Sequence, residues 1–176
     1  SSYDQKGFSF KAGLQKQDYG FSIDHTQNQG NSVYEGFNWT SNAYEIYAQD
    51  FKNTVSTLKA YLQAVENTRI ESRISRFKDE LIQLQDQEKT TYTSDEYELL
   101  LKQNLNLAHQ LTFGITHKNL ETQTDKATDP FQQDLNTTGY YIQHQYKTDQ
   151  LSTQLGYRVE DHEKYGTHTV AQAAVR

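Results

Sequence analysis

The chain predicts an all-β fold, an antiparallel meander of about nine long strands. Three observations carry this. Apolar and polar residues alternate along most of the chain, the signature of strands with one apolar and one polar face. The alternating runs last about ten residues, longer than the ~5–6 of an ordinary strand. The links between runs are alternately short and long, which puts all short turns on one rim and all long loops on the other.

Phe8, Phe10, Ala12 and Leu14 alternate with Ser9, Lys11, Gly13 and Gln15 and predict a strand over 5–15. Tyr19, Phe21 and Ile23 predict the next over 19–29. Leu58, Ala60, Leu62 and Ala64 predict one over 54–65, and Ile70 and Ile74 begin another over 69–84. Tyr97, Leu99, Leu101, Leu105 and Leu107 share one parity in 96–107, and Leu111, Phe113 and Ile115 oppose Thr112, Gly114 and Thr116 in 111–122. Tyr140, Ile142 and Tyr146 mark 137–147; Leu155, Tyr157 and Val159 mark 151–161; a last strand takes 168–176. Short polar links fall at 16–18, 66–68, 108–110 and 148–150, and longer ones at roughly 30–53, 85–95, 123–136 and 162–167. Strands near ten residues, with short turns on one rim and long loops on the other, are the pattern of a transmembrane β-barrel wall.

A helical reading competes over one stretch. No Gly or Pro occurs from Ala43 to Lys89, and Tyr44, Ala48, Phe51, Val55, Leu58, Leu62 and Val65 step by four and three, as do Ile70, Ile74, Phe77, Leu81 and Leu84. That spacing suits a helical pair over 43–87, broken at Asn67, in a soluble interaction protein. Arg76 and Lys78 also fall on the parity of Ile70 and Ile74, which a lipid-facing strand accepts only near its end. Against the helix, 58–64 alternates cleanly and the turn rhythm requires strands here.

Composition narrows the function. Leu, Ile, Val and Phe together make only 36 of 176 residues, close to the one-fifth level below which chains tend to be disordered. Yet 12% of the residues are aromatic, which disordered chains are not. Alternate placement on a barrel wall reconciles the two. A net charge of −6 argues against a nucleic-acid surface. Without cysteine there is no disulfide, thiolate metal site or cysteine nucleophile. No run approaches the ~18–20 apolar residues of a membrane helix. No phosphate-binding loop, zinc-protease helix or serine-hydrolase elbow occurs, and the chain is expected to be no enzyme.

The segment Arg158-Val159-Glu160-Asp161-His162-Glu163-Lys164-Tyr165-Gly166-Thr167-His168-Thr169 resembles a late-barrel segment of TonB-dependent outer-membrane receptors. There, too, a strand ends in Arg-x-acid-acid, a tight loop carries an aromatic-Gly pair, and Thr or Ser begins the return strand. Thr138-Gly139-Tyr140-Tyr141-Ile142 and the run from Leu151 to Tyr157 fit the same succession, which from about residue 55 is similar to the cobalamin receptors of that family. The resemblance implies a bacterial outer-membrane location and uptake of a large, scarce nutrient such as cobalamin. The implied partners are outer-membrane lipid, the rest of the barrel with its plug, and TonB acting through that plug. Nothing here resembles the plug, the TonB-contacting segment or the aromatic end of the last barrel strand. Nine antiparallel strands cannot close on themselves, so the chain is expected to be a segment of a larger barrel. If the count is off by one, a small complete barrel acting as pore or hydrolase is the alternative.

Candidate site residues lie in the long links. Tyr34, Trp39, Tyr44 and Tyr92 offer rings to stack on a large ligand, with Asp125 and Asp129 beside them. Asp86, Asp95 and Asp134 are candidate cation ligands, since calcium in the loops of cobalamin receptors is what the resemblance implies, although no spacing forms a recognised calcium loop. No other cofactor is expected. Asp161, His162, Glu163 and His168 are a further possible metal set, and His117 and His144 are expected near the aqueous boundary of the lipid-facing wall.

Overall fold

The computed structural model of the chain describes residues 3–126 and 130–176. Its regular structure among these residues is entirely β. Nine strands, β1 (Tyr3–Gln15), β2 (Tyr19–Asn38), β3 (Ala43–Val65), β4 (Thr68–Gln83), β5 (Glu88–Asn104), β6 (His109–Asp125), β7 (Phe131–Lys147), β8 (Ser152–His162) and β9 (Gly166–Val175), form one sheet. Each is hydrogen-bonded antiparallel to its sequence neighbours in the order β1 to β9. The helical pair at 43–87 does not form, because β3 and β4 occupy that stretch. Among the described residues β1 and β9 share no ladder, so both edges of the sheet are open.

At the rim of the expected long loops the strands are longer, and the connections shorter, than the sequence pattern predicts; at the other rim β5 ends at Asn104, so Leu105 and Leu107, expected in that strand, lie in the turn. The expected loops at 30–53 and 85–95 are mostly strand: β2 and β3 meet at a turn over 39–42, and β4 and β5 at one over 84–87. Of the expected loop at 123–136, β6 takes the part up to Asp125 and β7 the part from Phe131 onward, and the last loop shrinks to 163–165. Side-chain and left-handed turn chemistry closes these hairpins. Asn38 Oδ1 accepts the Thr40 amide at 2.8 Å, and Asp86 Oδ1 accepts the Glu88 amide at 3.2 Å. Asn42, Gln87 and Gly166 take positive φ to turn the chain.

Register assigns every side chain to a face. One outer-face row runs Tyr19, Leu62, Ile70, Leu101, Phe113, Ile142, Tyr157 and Ala171 across β2 to β9. With the rows on either side it forms an apolar belt beside the rim of turns 16–18, 66–67, 105–108 and 148–151. From Tyr97 to Leu105, just past the end of β5, its eight steps cover about 26 Å along the chain, against the ~25 Å apolar band of a barrel wall. Tyr97, His117 and Tyr140 stand at its upper boundary, and Tyr19, His109, His144 and Tyr146 at its lower one. These are the interfacial positions that rings with a polar atom favour. The belt crosses the rows diagonally: the row of Ile23, Leu58, Ile74 and Tyr97 reaches polar Thr138 and Asp161 in β7 and β8. Tilted barrel strands produce that drift, since a level band then cuts successive strands at different registers.

Above the belt the faces exchange character. The inner-face row Val55, Phe77, Ser94, Leu120 and Leu135 is apolar except at Ser94. The outer rows flanking it, Thr54-Lys78-Thr93-Glu121-Asp134 and Ser56-Arg76-Asp95-Asn119-Asn136, are wholly polar. Arg76 and Lys78 therefore stand on the lipid-facing parity but beyond the belt. Arg76 is held there by a bidentate pair to Asp95 at 2.6 and 2.7 Å. No apolar side chain among the described residues is fully buried, as expected of a single layer with no second sheet behind it.

Arginine at Phe113, in the middle of the belt, should cost roughly 2–4 kcal/mol of membrane-inserted stability, whereas arginine at Thr93, on the same face above the belt, should cost ~0–1. Refolding of the two variants into lipid vesicles, followed by denaturant titration, measures the difference; equal costs would refute the placement of the belt.

Candidate functional site

Behind the belt, the inner face carries a lattice of opposite charges. Arg73 reaches Glu98 at 3.2 Å and Glu96 at 3.5 Å, and Lys118 reaches Glu96 at 3.4 Å. Lys102 donates to Glu71 at 2.8 Å, and the Arg69 guanidinium lies 4.0 Å from the centre of the Tyr61 ring. Further along, Arg158 pairs with Glu160 at 2.7 Å and reaches across β7 to donate to Thr116 at 3.2 Å. Such a face suits water or a polar partner, because exposed pairs contribute little singly while a connected network orients its members.

Space for these side chains comes from glycine. A Cβ on Gly20 would lie 2.5 Å from the Tyr61 ring, and one on Gly114 would overlap the Tyr141 ring. Tyrosine on one strand thus lies flat over glycine on the next, keeping the inner wall low. Arg158 crosses Gly139 in the same way to reach Thr116.

Above this lattice the apolar inner row joins an aromatic group. Phe77 and Tyr92 have ring centres 5.9 Å apart, Tyr34 and Tyr47 5.7 Å, and Tyr3 stacks near Phe51 at 6.0 Å. The Tyr34 hydroxyl donates to Gln83 at 2.9 Å, bridging from β2 over β3 to β4. These are three ring pairs set into the inner wall, parted by the polar rows Asn28-Asn53-Asp79 and Ser32-Gln49-Gln83. Such a surface can stack on a large, partly planar ligand while the outer face stays hydrated.

Of the residues predicted as ligand contacts, Tyr34 and Tyr92 belong to this inner wall, although both were expected in loops and stand on strands. Trp39 is in the β2–β3 turn, 86% exposed, packed edge-on against Phe37 at 4.9 Å. Tyr44, also in a strand, packs on the other side of Phe37 at 5.3 Å on the outer face. Asp125 ends β6 on the outer parity opposite Lys89 and accepts from Gln123 at 2.8 Å. Asp129 lies outside the described residues.

The three carboxylates considered for cations are not brought together. Asp86 serves its turn, Asp95 is a strand residue paired with Arg76, and Asp134 is a strand residue opposite Glu121 on the outer face. Of the set at 161–168, Asp161 and His162 are parted by the pleat, while His168, opposite Glu160, faces in with its ring centre 5.8 Å from that of His162. Asp161 faces out and accepts from Thr167 at 3.0 Å, while His162 faces in beside Glu160 and bonds Thr137 at 2.8 Å. Glu163 accepts from Asn136. Among the described residues no group of three or more His, Asp or Glu side chains forms a metal site.

Sequence reasoning missed Tyr47, Phe51 and Phe77 as members of the inner wall, because Tyr47 and Phe51 fell in the expected loop at 30–53 and Phe77 in a predicted strand whose alternation changes face there. The signal was present in the odd steps from Val55 to Leu58 and from Ile74 to Phe77. An odd step within a strand moves the apolar residue to the other face.

No protein-family model matches the chain, and no curated protein matches it in sequence. Solved structures match it in fold. The FrpB iron transporter from Neisseria meningitidis is similar over 98% of this chain and 34% of its own, at 12% identity and a TM-score of 0.75. The siderophore receptor PirA from Acinetobacter baumannii is similar over 98% and 31%, at 11% identity and a TM-score of 0.77. OmpT, an outer membrane protein of Vibrio cholerae, is similar over 97% and 52%, at 15% identity and a TM-score of 0.61. The chain thus spans about a third of the length of the receptor and transporter it matches. At these identities the likeness establishes the fold, that of an outer-membrane barrel wall.

Two outcomes follow from the side-chain geometry. Valine at Gly114 must displace the Tyr141 ring, and a destabilisation of about 1–3 kcal/mol is expected in denaturant titration. Wild-type stability would show that the ring has no fixed place over the glycine. Above the belt, the Lys89 hydrogen bond, assisted by Lys78, holds the Glu80 carboxyl below its ordinary 4.5. A folded-state value below the unfolded one adds stability above the ordinary range, and that stability is lost as the pH falls through the lower folded value. Carboxyl-detected NMR should find Glu80 titrating below the ordinary carboxyl range and higher in Lys89→Met; coincident curves would contradict the pairing.

Proposed function

We propose that this sheet is one sector of a larger outer-membrane barrel, the wall of a TonB-dependent receptor in the bacterial outer membrane that takes up a large, scarce nutrient. The observation that carries the reading is the exchange of faces above the belt. A plain pore wall has no need of an apolar inner surface beyond the lipid, whereas a mouth that captures a bulky ligand does. Tyr34, Tyr92, Phe77 and Tyr47 are the contacts expected on that ligand, with Trp39 at the tip of the longest hairpin. Asp125 and Asp129 are supplementary polar contacts, and calcium at Asp86, Asp95 or Asp134 has no geometric support. The inner charge lattice behind the belt is the surface on which a plug would rest, and TonB would act through that plug. The role is transport, with no chemistry of its own.

The open edges at β1 and β9 support a sector over a small closed barrel. For the nutrient, the resemblance at 158–169 favours cobalamin, while the names of the similar structures, an iron transporter and a siderophore receptor, favour a ferric chelate.

Binding of cobalamin and of ferric siderophores to the complete receptor in outer-membrane vesicles decides between them. Alanine at Tyr92 and at Phe77 should each weaken whichever ligand binds by about tenfold, the loss typical of a central aromatic anchor. Unchanged affinity in both variants would remove the inner wall from the binding site, and binding of neither ligand would refute the receptor reading.

A further inference from the structure

The lower boundary of the belt holds a pair of histidines that the transport reading does not use. His109 opens β6 and His144 lies near the end of β7. Register pairs His109 with Tyr146 and His144 with Leu111, so the two imidazoles are diagonal neighbours on the outer face. Their Nδ1 and Nε2 atoms are 3.0 Å apart, and the rings stack with centres at 5.2 Å. Both residues are half-buried at the rim where the strands leave the belt. The Tyr146 ring, 4.7 Å away, backs the His109 ring. Asn106 Oδ1 accepts the Ala108 and His109 amides at 2.9 and 3.0 Å and so fixes the backbone that presents it.

We infer that His109 and His144 form a two-imidazole site for a divalent transition metal ion, with water completing the coordination. The warrant is the nitrogen–nitrogen distance. Two imidazoles bound at ~2.0–2.1 Å stand about 2.9 Å apart when cis in a square plane and about 3.3 Å apart in a tetrahedron. The observed separation falls between these values, so an ion can replace the bridging proton once the two rings turn to aim their lone pairs at it rather than at each other. Imidazole selects Cu(II), Zn(II) and Ni(II) over Ca(II) and Mg(II), and Cu(II) leads the affinity order. The neighbouring outer-face residues Gln103, Leu111, Thr153 and Leu155 carry no charge, so no carboxylate or cation competes for the pair. Bound metal would tie β6 to β7 at this rim by side chains as well as backbone.

The test uses the full-length protein in detergent micelles, titrated with Cu(II) and read by electron paramagnetic resonance. One site with splitting from two nitrogens is expected. His144→Gln should weaken it by about tenfold or more and reduce the pattern to one nitrogen, whereas His117→Gln, at the upper boundary of the belt, should change neither. Identical spectra for wild type and His144→Gln, or loss of the signal in His117→Gln, would overturn the site. Should His144→Gln fail to assemble, the unaltered protein answers instead through modification by diethyl pyrocarbonate with and without Zn(II). Protection of His109 and His144 alone supports the inference; equal reactivity with and without the ion refutes it.

Discussion

Backbone pairing is the constraint on which the rest of this sheet depends. A strand in lipid must hydrogen-bond every amide and carbonyl to its neighbours, because hydrocarbon offers no substitute. Once β1 to β9 are locked in register, each side chain belongs to one face, and a slip by one residue would send the whole apolar set to the wrong side. The belt, the inner charge lattice and the aromatic wall are consequences of that single assignment. It also explains why a sheet without a buried core can be specified at all: lipid on one face plays the part that a packed interior plays elsewhere.

The same constraint explains the exchange of faces. Within the belt, lipid demands apolar side chains outside and leaves the inside free to be polar, so Leu101 and Phe113 face out while Arg73 and Glu98 face in. Beyond the belt the outside meets water and the demand disappears, so Arg76 and Asp95 can take the outer parity. The inside is then free to become apolar, as Val55, Phe77 and Leu120 do. A strand passing through both regimes must shift its apolar residues by an odd number of positions. In β3 and β4 these odd steps between even ones imitate the four-three spacing of a helix. The apparent heptads at 43–87 are two opposite strand patterns joined end to end.

Glycine and tyrosine settle the local relief of the inner wall. Gly20 and Gly114 sit under Tyr61 and Tyr141, and Gly139 lies under the arm of Arg158. The large side chains lie along the wall and join neighbouring strands, which leaves room for whatever the barrel encloses. At the far end, β2 and β3 continue past Gln49 of β3, where the pairing with β4 ends. They form a two-stranded hairpin on which Phe37, Trp39 and Tyr44 pack together in water.

The β class, the strand count, the belt residues and the short turns at one rim were legible in the sequence, because lipid imposes strict alternation where the wall crosses it. The resemblance at 158–169 and the matched structures agree on an outer-membrane barrel wall. The length of the strands beyond the membrane was not legible, since a stretch such as 30–53, in water on at least one face, carries no steady alternation to read. Nor could the sequence place Tyr34 and Tyr92 on the inner wall, join Tyr47, Phe51 and Phe77 to them, or bring His109 against His144. Those neighbours are set by cross-strand register, and register is a property of paired strands that no single segment contains.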